Sequence, residues 1–306
     1  MLSVILSVLP IFILIVIGHA MRRWNFPGDA FWPLADRAVY FIFFPALLVH
    51  NLARANLGEL DPTGLFGTLY CALLLNALLA FAMKPWLKID GPSFTSLFQG
   101  SVRFNTFVGF GAAAALAGNP GITLYAVVIS LAIPTMNVLC VLVLVRYGAH
   151  GGGTSLRDQL LLLGKNPLIL ACLAGILINL SGLHLPPGID PMFKMLGDVA
   201  APLGLLTVGA ALQMDAARQG GKTVITATLL KLVVYPSTVL TVSWLWGLDR
   251  METQILVLWA MLPTASASYI LARQMGGNAP LMAAIVTAST LGAFITMPIF
   301  LALLGL

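Results

Sequence analysis

Polar and helix-breaking residues interrupt two long apolar segments of the chain at matching depths. The fourth apolar segment contains Arg103-Phe104-Asn105, and the ninth contains Leu262-Pro263-Thr264, followed by Ser266 and Ser268. Inside a bilayer, a backbone N–H or C=O group without a partner costs several kcal/mol unless it lines a cavity. Paired interruptions in corresponding segments are typical of the binding sites of membrane carriers. The sequence therefore predicts a substrate site where these two interruptions meet.

Arg103 and Asn105 are the candidate substrate-binding side chains of the fourth segment. If this segment enters the membrane near residue 93, Arg103 lies about 15 Å along the helix axis, close to the midplane and too deep to reach water easily. An arginine there needs a partner, which is either a structural group, such as a carbonyl of a broken helix, or a substrate carboxylate. Asn105 is a favoured N-cap residue that could begin a second half-helix and offer its amide to a ligand, or form an ordinary interhelical hydrogen bond.

Pro263 is the corresponding feature of the ninth segment. It has no N–H group to donate to the carbonyl of Trp259, so that carbonyl is freed at mid-membrane. A proline in a transmembrane helix is often only a kink, but this one matches the interruption of the fourth segment. Two half-helix N-termini, each equivalent to about half a positive charge, would then meet and attract an anion. Hydroxyl groups just beyond the break are supplied by Thr264, Ser266 and Ser268.

Other polar residues also lie within apolar segments. Asn137 follows Pro134 in the fifth segment, so its amide could reach the interruption of the fourth segment or make a packing contact. Lys231 lies deep in the eighth segment and adds positive charge. Asp36 and Asp198 lie nearer the ends of the second and seventh segments, where each could relay protons or pair with a neighbouring cation. The charge balance at mid-depth is therefore basic.

Composition places the whole chain in a membrane. Of the 306 residues, 59% are hydrophobic and only 9% are charged, against roughly a quarter in a soluble domain. A hydrocarbon core about 30 Å thick needs about 20 apolar residues per helix, which leaves room for ten spans and short loops. We predict an all-α polytopic membrane protein with spans near 2–21, 31–53, 62–86, 93–117, 121–146, 166–183, 191–214, 222–247, 252–275 and 279–305.

Basic residues are distributed unequally between alternate loops. Two, Arg54 and Arg250, fall on one set of loops, and ten fall on the other: Arg22, Arg23, Lys84, Lys88, Arg146, Arg157, Lys165, Arg218, Lys222 and Arg273. The positive-inside rule makes the second set cytoplasmic, so both termini of this multi-pass protein of the inner or plasma membrane are extracytoplasmic. This distribution does not indicate a nucleic-acid partner.

The cysteines lie in apolar runs and the histidines are scattered, so we expect no metal and no cofactor.

The two halves of the chain show a weak internal repeat. A shift of 159 residues aligns 104–131 with 263–290 and pairs, among others, Asn119 with Asn278 and Ser130 with Ser289. A shift of 162 similarly pairs residues of the second and seventh segments. Because each half has an odd number of spans, the halves must be inverted. We therefore predict a first five-helix repeat at 1–150, a cytoplasmic connector at 151–165 and a second, inverted repeat at 166–306.

The chain resembles the auxin efflux carrier family, particularly its bacterial branch of proposed malonate and other dicarboxylate carriers. The resemblance rests on PALLVHNLA, RFNTFVGFG, APLGLLTVGAALQM and MLPTASASYILARQMGGN, which begin at residues 45, 103, 201 and 261. It implies ten helices of the bile acid/sodium symporter-like fold, with helices 4 and 9 crossing at the substrate site. It also implies a scaffold of helices 1, 2, 6 and 7, a moving bundle and a homodimer.

The chain departs from the plant members of that family in two respects. Their long hydrophilic central loop is reduced to 147–165, and the Asn-Pro pair at each crossing is incomplete. Asn105 has no following proline, and Pro263 has no preceding asparagine. A small carboxylate therefore suits this site, with its added Arg103, better than auxin does.

We expect a secondary carrier that moves small organic anions, malonate-like or auxin-like, by elevator-type alternating access. Two alternatives stay open: a sodium-coupled organic-anion symporter, which should carry clustered acidic or amide ligands at mid-depth, and a membrane sensor that binds without transport. An intramembrane enzyme is disfavoured, because the chain lacks a His-Glu-x-x-His motif, a mid-membrane aspartate pair and a nucleophile elbow.

The predicted orientation can be tested by thiol labelling of single-cysteine variants in intact cells. An impermeant maleimide added outside should label a cysteine introduced near either terminus and should leave Gly152→Cys unlabelled, because the connector is predicted to be cytoplasmic. Labelling of Gly152→Cys from outside would contradict this topology.

Overall fold

The computed structural model describes residues 2–54, 62–149, 167–183, 185–218 and 221–305. Within these ranges the regular secondary structure is entirely helical. The all-α fold predicted from the composition is thereby confirmed. The predicted connector at 151–165 lies outside the described residues.

The described residues between 2 and 149 form five helical elements. They are α1 (Leu2–Arg23), α2 (Phe31–Ala53), α3 (Pro62–Leu87), α4 (Gly91–Val102) and α5 (Thr106–Tyr147). The remaining elements are α6 (Pro167–Leu180), α7 (Ile189–Ala210), α8 (Met214–Arg218), α9 (Gly221–Trp246), α10 (Arg250–Met261), α11 (Ala267–Gln274) and α12 (Ala279–Leu303).

Proline and glycine explain the irregularities within the longer helices. A π-helical turn lies in α2 at Val39–Phe43 and another in α9 at Leu230–Val234, and Pro45 and Pro236 follow these turns within two residues. Proline has no N–H for the carbonyl four residues earlier, so the chain widens locally to accommodate the missing bond. In α5, Gly118 has φ 57° and divides the element into two helices. This division falls between the fourth and fifth predicted spans.

Close backbone contacts join α1 to α7. A methyl group added to Gly18 would lie 2.1 Å from the Leu206 carbonyl oxygen, and one added to Gly209 would lie 1.9 Å from the Ile15 carbonyl oxygen. Only glycine permits this approach, and small residues at helix interfaces are typical of membrane proteins. Elements α2 and α6 pack against each other, and α7 packs against α2, so contacts join these four helices. We call α1, α2, α6 and α7 the first helix group.

A second group comprises the helices that pack around the interruptions. Element α3 packs against α9, α9 against α10, and α5 against α10, while α12 contacts α4, α10 and α11. Buried aromatic residues fill this interior, including Phe94, Phe98, Tyr125, Tyr235 and Trp259. Element α5 also contacts α7 of the first group.

The outer surface is apolar and suited to lipid. Leu78, Leu177 and Ile295 expose 63%, 66% and 68% of their surfaces, which water would disfavour and acyl chains accept. Within the described residues, six stretches are long and apolar enough to cross a bilayer: Phe31–Ala53, Thr63–Leu87, Gly91–Tyr147, Ile189–Ala210, Gly221–Trp246 and Ala279–Leu303. The chain is a multi-pass membrane protein.

Candidate functional site

Two non-helical segments lie at the positions where the sequence predicts interruptions. The first break is 103–105, between α4 and α5, and the second break is 262–266, between α10 and α11. The helices that precede them each contain 12 residues. Arg103 and Leu262 are extended, with ψ values of 151° and 145°. Asn105 is the N-cap of α5, as the sequence predicts, because its side-chain oxygen accepts hydrogen bonds from the amides of Phe107 (3.0 Å) and Val108 (3.3 Å).

The two breaks bind each other directly. The backbone N–H of Asn105 donates to the Pro263 carbonyl over 2.8 Å, and the Thr264 hydroxyl donates to the Gly100 carbonyl over 2.7 Å. The Thr264 amide donates to the Ser289 hydroxyl of α12 over 3.1 Å. Backbone groups released by one break are thus partly satisfied by the other break, which removes much of the cost of leaving a helix inside a membrane.

Side chains from α3 and α9 cap the C-terminal ends of the two preceding half-helices. The Asn76 amide donates to the Ser101 carbonyl over 2.8 Å. The Lys231 ammonium donates to the Ala260 carbonyl over 3.0 Å and lies 4.8 Å from the centre of the Tyr235 ring. Because the C-terminal end of a helix carries partial negative charge, both donors stabilise it, and the cation does so more strongly.

A cavity of about 710 Å³ lies against both breaks. Its wall includes residues 105–107 at the start of α5. At the start of α11 the lining residues are Ala265, Ser266, Ala267, Tyr269 and Ile270. The N-terminal end of a helix carries partial positive charge, so both helix ends present positive potential to the cavity, although the Phe107 and Val108 amides of α5 already donate to the Asn105 side chain. Other lining residues come from the first helix group and from the segment that follows α7, among them Trp32, Asp36, Arg37, Tyr40, Thr207 and Gln213.

The cavity extends from the breaks to the end of α1. Arg22, in the last turn of α1, lines it together with Leu212 and Gln213, and these three residues also line a second cavity of about 800 Å³. The second cavity adds His19 and Arg23. The two cavities therefore adjoin at the end of α1, where Arg22, Arg23 and Asp215 are the charged lining residues.

Arg103 lies beside the cavity rather than in its wall. Its backbone amide donates to the Gln99 carbonyl over 2.9 Å, and its guanidinium interacts with the Tyr40 hydroxyl and the Cys140 thiol. Its Nε and Nη1 atoms are buried and have no hydrogen-bond partner among the described residues, and no carboxylate of that part of the chain pairs with it. The cation thus retains unused donors close to Tyr40, which does line the cavity.

The other predicted site residues divide between the cavity and the contacts that support it. Ser266 lines the cavity beside Asn105. Pro263 and Thr264 are buried and joined to the first break, and the hydroxyl of buried Ser268 has no partner among the described residues. Asn137 is half-buried in α5 and is not part of the cavity wall. The breaks thus bring together most, though not all, of the predicted set.

Sequence reasoning missed several residues that position or line the site. Tyr40, Gln213 and Trp32 line the cavity from elements that carry no interruption, so only tertiary structure identifies them. Asn76 gave a usable signal, because a lone amide in the apolar run CALLLNALLAF needs a partner. Among the described residues, no group of three His, Cys, Asp or Glu side chains is placed to hold a metal ion.

Comparison with known proteins relates the chain to membrane transporters. Residues 154–301 match the family described as membrane transport protein. The "Putative malonate transporter" of Rhizobium meliloti is 26% identical over 285 residues, which cover 88% of this chain and 86% of the relative. An uncharacterized transporter of Methanothermobacter thermautotrophicus is 21% identical and the uncharacterized transporter YfdV of Escherichia coli is 23% identical, each with 96% of both chains covered. The second half of the chain is thus similar to a family of membrane transport proteins, and nearly the whole chain is similar to proteins named as transporters.

These matches confirm the resemblance to a family of membrane transporters that the sequence indicates. The names of the family and of these relatives indicate a membrane transporter rather than an enzyme. The relatives are matched over nearly their whole length.

The contact between the breaks predicts a specific cost for removing the Thr264 hydroxyl. Thr264→Val keeps the side-chain shape but leaves the buried Gly100 carbonyl without its donor, which should cost about 1–3 kcal/mol and lower the melting temperature of the purified protein. Thr238→Val is the matched control, because the Thr238 hydroxyl bonds only to the Val234 carbonyl within α9. Equal melting temperatures for the two variants would contradict a supporting role for Thr264.

Proposed function

We propose that this chain is a secondary carrier that moves small organic anions, such as carboxylates, across the membrane by alternating access. The observation that carries the proposal is the meeting of the two breaks beside a cavity lined by the first residues of α5 and α11. Such a meeting of half-helix N-termini is a recurrent way to bind the anionic group of a transported substrate.

The chemistry at the breaks favours a negative ligand. Helix N-termini present N–H donors and partial positive charge, and the unused donors of Arg103 lie close by. Asn105 and Ser266 add polar groups at the cavity wall. We propose that Asn105 and Ser266 contact the substrate and that Arg103 attracts its negative charge from beside the cavity. We assign Pro263 and Thr264 to holding the second break in register. Ser268 and Asn137 complete the proposed site as polar residues near it.

We further propose ten transmembrane helices arranged as two inverted five-helix repeats, 1–150 and 166–306, joined by the cytoplasmic connector 151–165. The shift of 159 residues relates α4, which begins at Gly91, to α10, which begins at Arg250, and Asp90 and Asp249 both cap these helices. Under the same shift, Ser130 and Ser289 both donate to the carbonyl three residues earlier. These matched contacts support the repeat that the sequence pairs indicate.

The position of the cavity supports an inward-facing state. The cavity at the breaks reaches Arg22, and the adjoining cavity reaches Arg23; both arginines belong to the loops proposed as cytoplasmic. In an elevator cycle, the first helix group would serve as the scaffold, and the second group would carry the breaks past it toward the opposite face. Movement of one negative charge outward releases about 2.3 kcal/mol per 100 mV, so efflux of an anion needs no coupled ion.

The proposed setting is the inner or plasma membrane, with both termini extracytoplasmic and with the lipid bilayer and a second copy of the chain as partners. The malonate named for one relative makes dicarboxylates the first compounds to test, followed by monocarboxylates. A ligand at 100 times its dissociation constant stabilises the folded state by about 2.7 kcal/mol, so a thermal-shift screen on purified protein would reveal the substrate.

Asn105→Asp separates helix capping from anion binding. Aspartate caps a helix as well as asparagine does, so folding should be preserved, but its fixed carboxylate would occupy the position proposed for the substrate anion. We expect carboxylate affinity, measured by calorimetry, to fall at least tenfold, and uptake into proteoliposomes to fall with it.

Asn119→Asp provides the matched control for this variant. It makes the same substitution in the same element, at an exposed position distant from the cavity wall. Its affinity and uptake should equal those of the unmodified protein. If folded Asn105→Asp bound carboxylate with unchanged affinity, the anion site would not lie at the breaks.

A further inference from the structure

Lys231 is a fully buried cation at the second break. Its side chain has no exposed surface, and its ammonium donates to the Ala260 carbonyl one residue before the end of α10. Within the described residues, no carboxylate forms an ion pair with it. Its counter-charge is therefore the partial negative charge at the C-terminal end of α10 and the π-face of Tyr235, 4.8 Å away.

The equivalent position at the first break carries a neutral group. The Ser101 carbonyl, which the 159-residue shift relates to that of Ala260, accepts from the Asn76 amide. An amide is thus sufficient to satisfy such a carbonyl. A buried ammonium costs far more to desolvate than an amide, so hydrogen bonding alone does not account for the choice of lysine at the second break.

Carbonyls released at the end of a broken helix are the ligands with which broken-helix carriers bind a coupling cation. At the second break, one of these carbonyls is already occupied by the ammonium of Lys231. We propose that Lys231 is a tethered cation that takes the position of a coupling ion, so that this carrier works without sodium at the second break. The inference rests on the proposed transport function for its significance, but the site itself can be tested by binding alone.

The structure points to three properties of such a site. In the unmodified protein the Ala260 carbonyl already accepts from the ammonium, so we expect no binding of an alkali cation there. Removal of the ammonium creates a small buried space beside a carbonyl oxygen and an aromatic face, both of which attract cations. Replacement by a neutral amide restores the hydrogen bond without the charge, as Asn76 does at the first break.

The test measures the melting temperature of the purified full-length protein in sodium chloride, methylammonium chloride or choline chloride at equal ionic strength. For the unmodified protein, sodium and choline should give the same value. Lys231→Ala should melt about 5 °C lower in choline, and methylammonium should restore stability in a saturable manner. Lys222→Ala is the matched control, because Lys222 is an exposed lysine of the same helix, and it should show neither effect.

Lys231→Gln keeps the test decisive if Lys231→Ala does not fold. This variant retains a donor for Ala260 but has no charge, so carboxylate uptake into proteoliposomes should fall at least tenfold while the protein remains folded. Sodium-specific stabilisation of the unmodified protein would overturn the proposal, as would uptake by Lys231→Gln at the unmodified rate. If the cation responses occur as expected but the unmodified protein moves no carboxylate, the transport function fails and the tethered-cation site stands.

Discussion

A helix that ends inside a membrane must find new partners for its backbone, and this constraint organises the second helix group. Lipid offers no hydrogen bonds, so each break survives only where protein supplies them. The hydrogen bond from the backbone N–H of Asn105 to the Pro263 carbonyl lets each interruption stabilise the other. Asn76, Lys231 and Thr264 satisfy carbonyls near the ends of α4 and α10, and buried aromatic rings exclude lipid around them.

The same constraint gives the site its chemical character. Carbonyls at the ends of α4 and α10 accept hydrogen bonds from side chains of α3, α9 and the opposite break. The N-terminal ends of α5 and α11, by contrast, face the cavity. Protein donors thus occupy much of the negative side of each break, and the positive side is left for a ligand. An arrangement of this kind supports the proposed anion site, to which Arg103 would add positive charge.

Much of this architecture could be predicted from the sequence because the membrane enforces simple rules. Long apolar segments, the Gly118-Asn119-Pro120 division and the interruption at Arg103-Phe104-Asn105 all appear at the predicted positions. The role of Asn105 as an N-cap followed from its residue type alone. Other features could not be predicted, since they depend on which helices become neighbours.

Tyr40 and Gln213 illustrate this limit of sequence reasoning. Neither residue interrupts a helix, yet both line the cavity because α2 and the segment after α7 pack opposite the breaks. Lys231 was recognisable as a deep cation, but its pairing with the Ala260 carbonyl depends on the contact between α9 and α10. Arg103, the most prominent residue in the sequence, lies behind the cavity wall and near Tyr40. The sequence pattern indicates how deep a residue lies in the membrane, whereas the direction of its side chain depends on the fold.

The central claim is that the breaks form an anion site exposed alternately to the two faces of the membrane. Accessibility of Ser266→Cys, in protein whose Cys71, Cys140 and Cys172 are replaced by serine, tests it most directly. In oriented proteoliposomes, impermeant thiol reagents should modify this cysteine from either face, and a transported carboxylate should protect it from both. Modification from only one face under all conditions, or an unchanged rate at saturating carboxylate, would contradict the account.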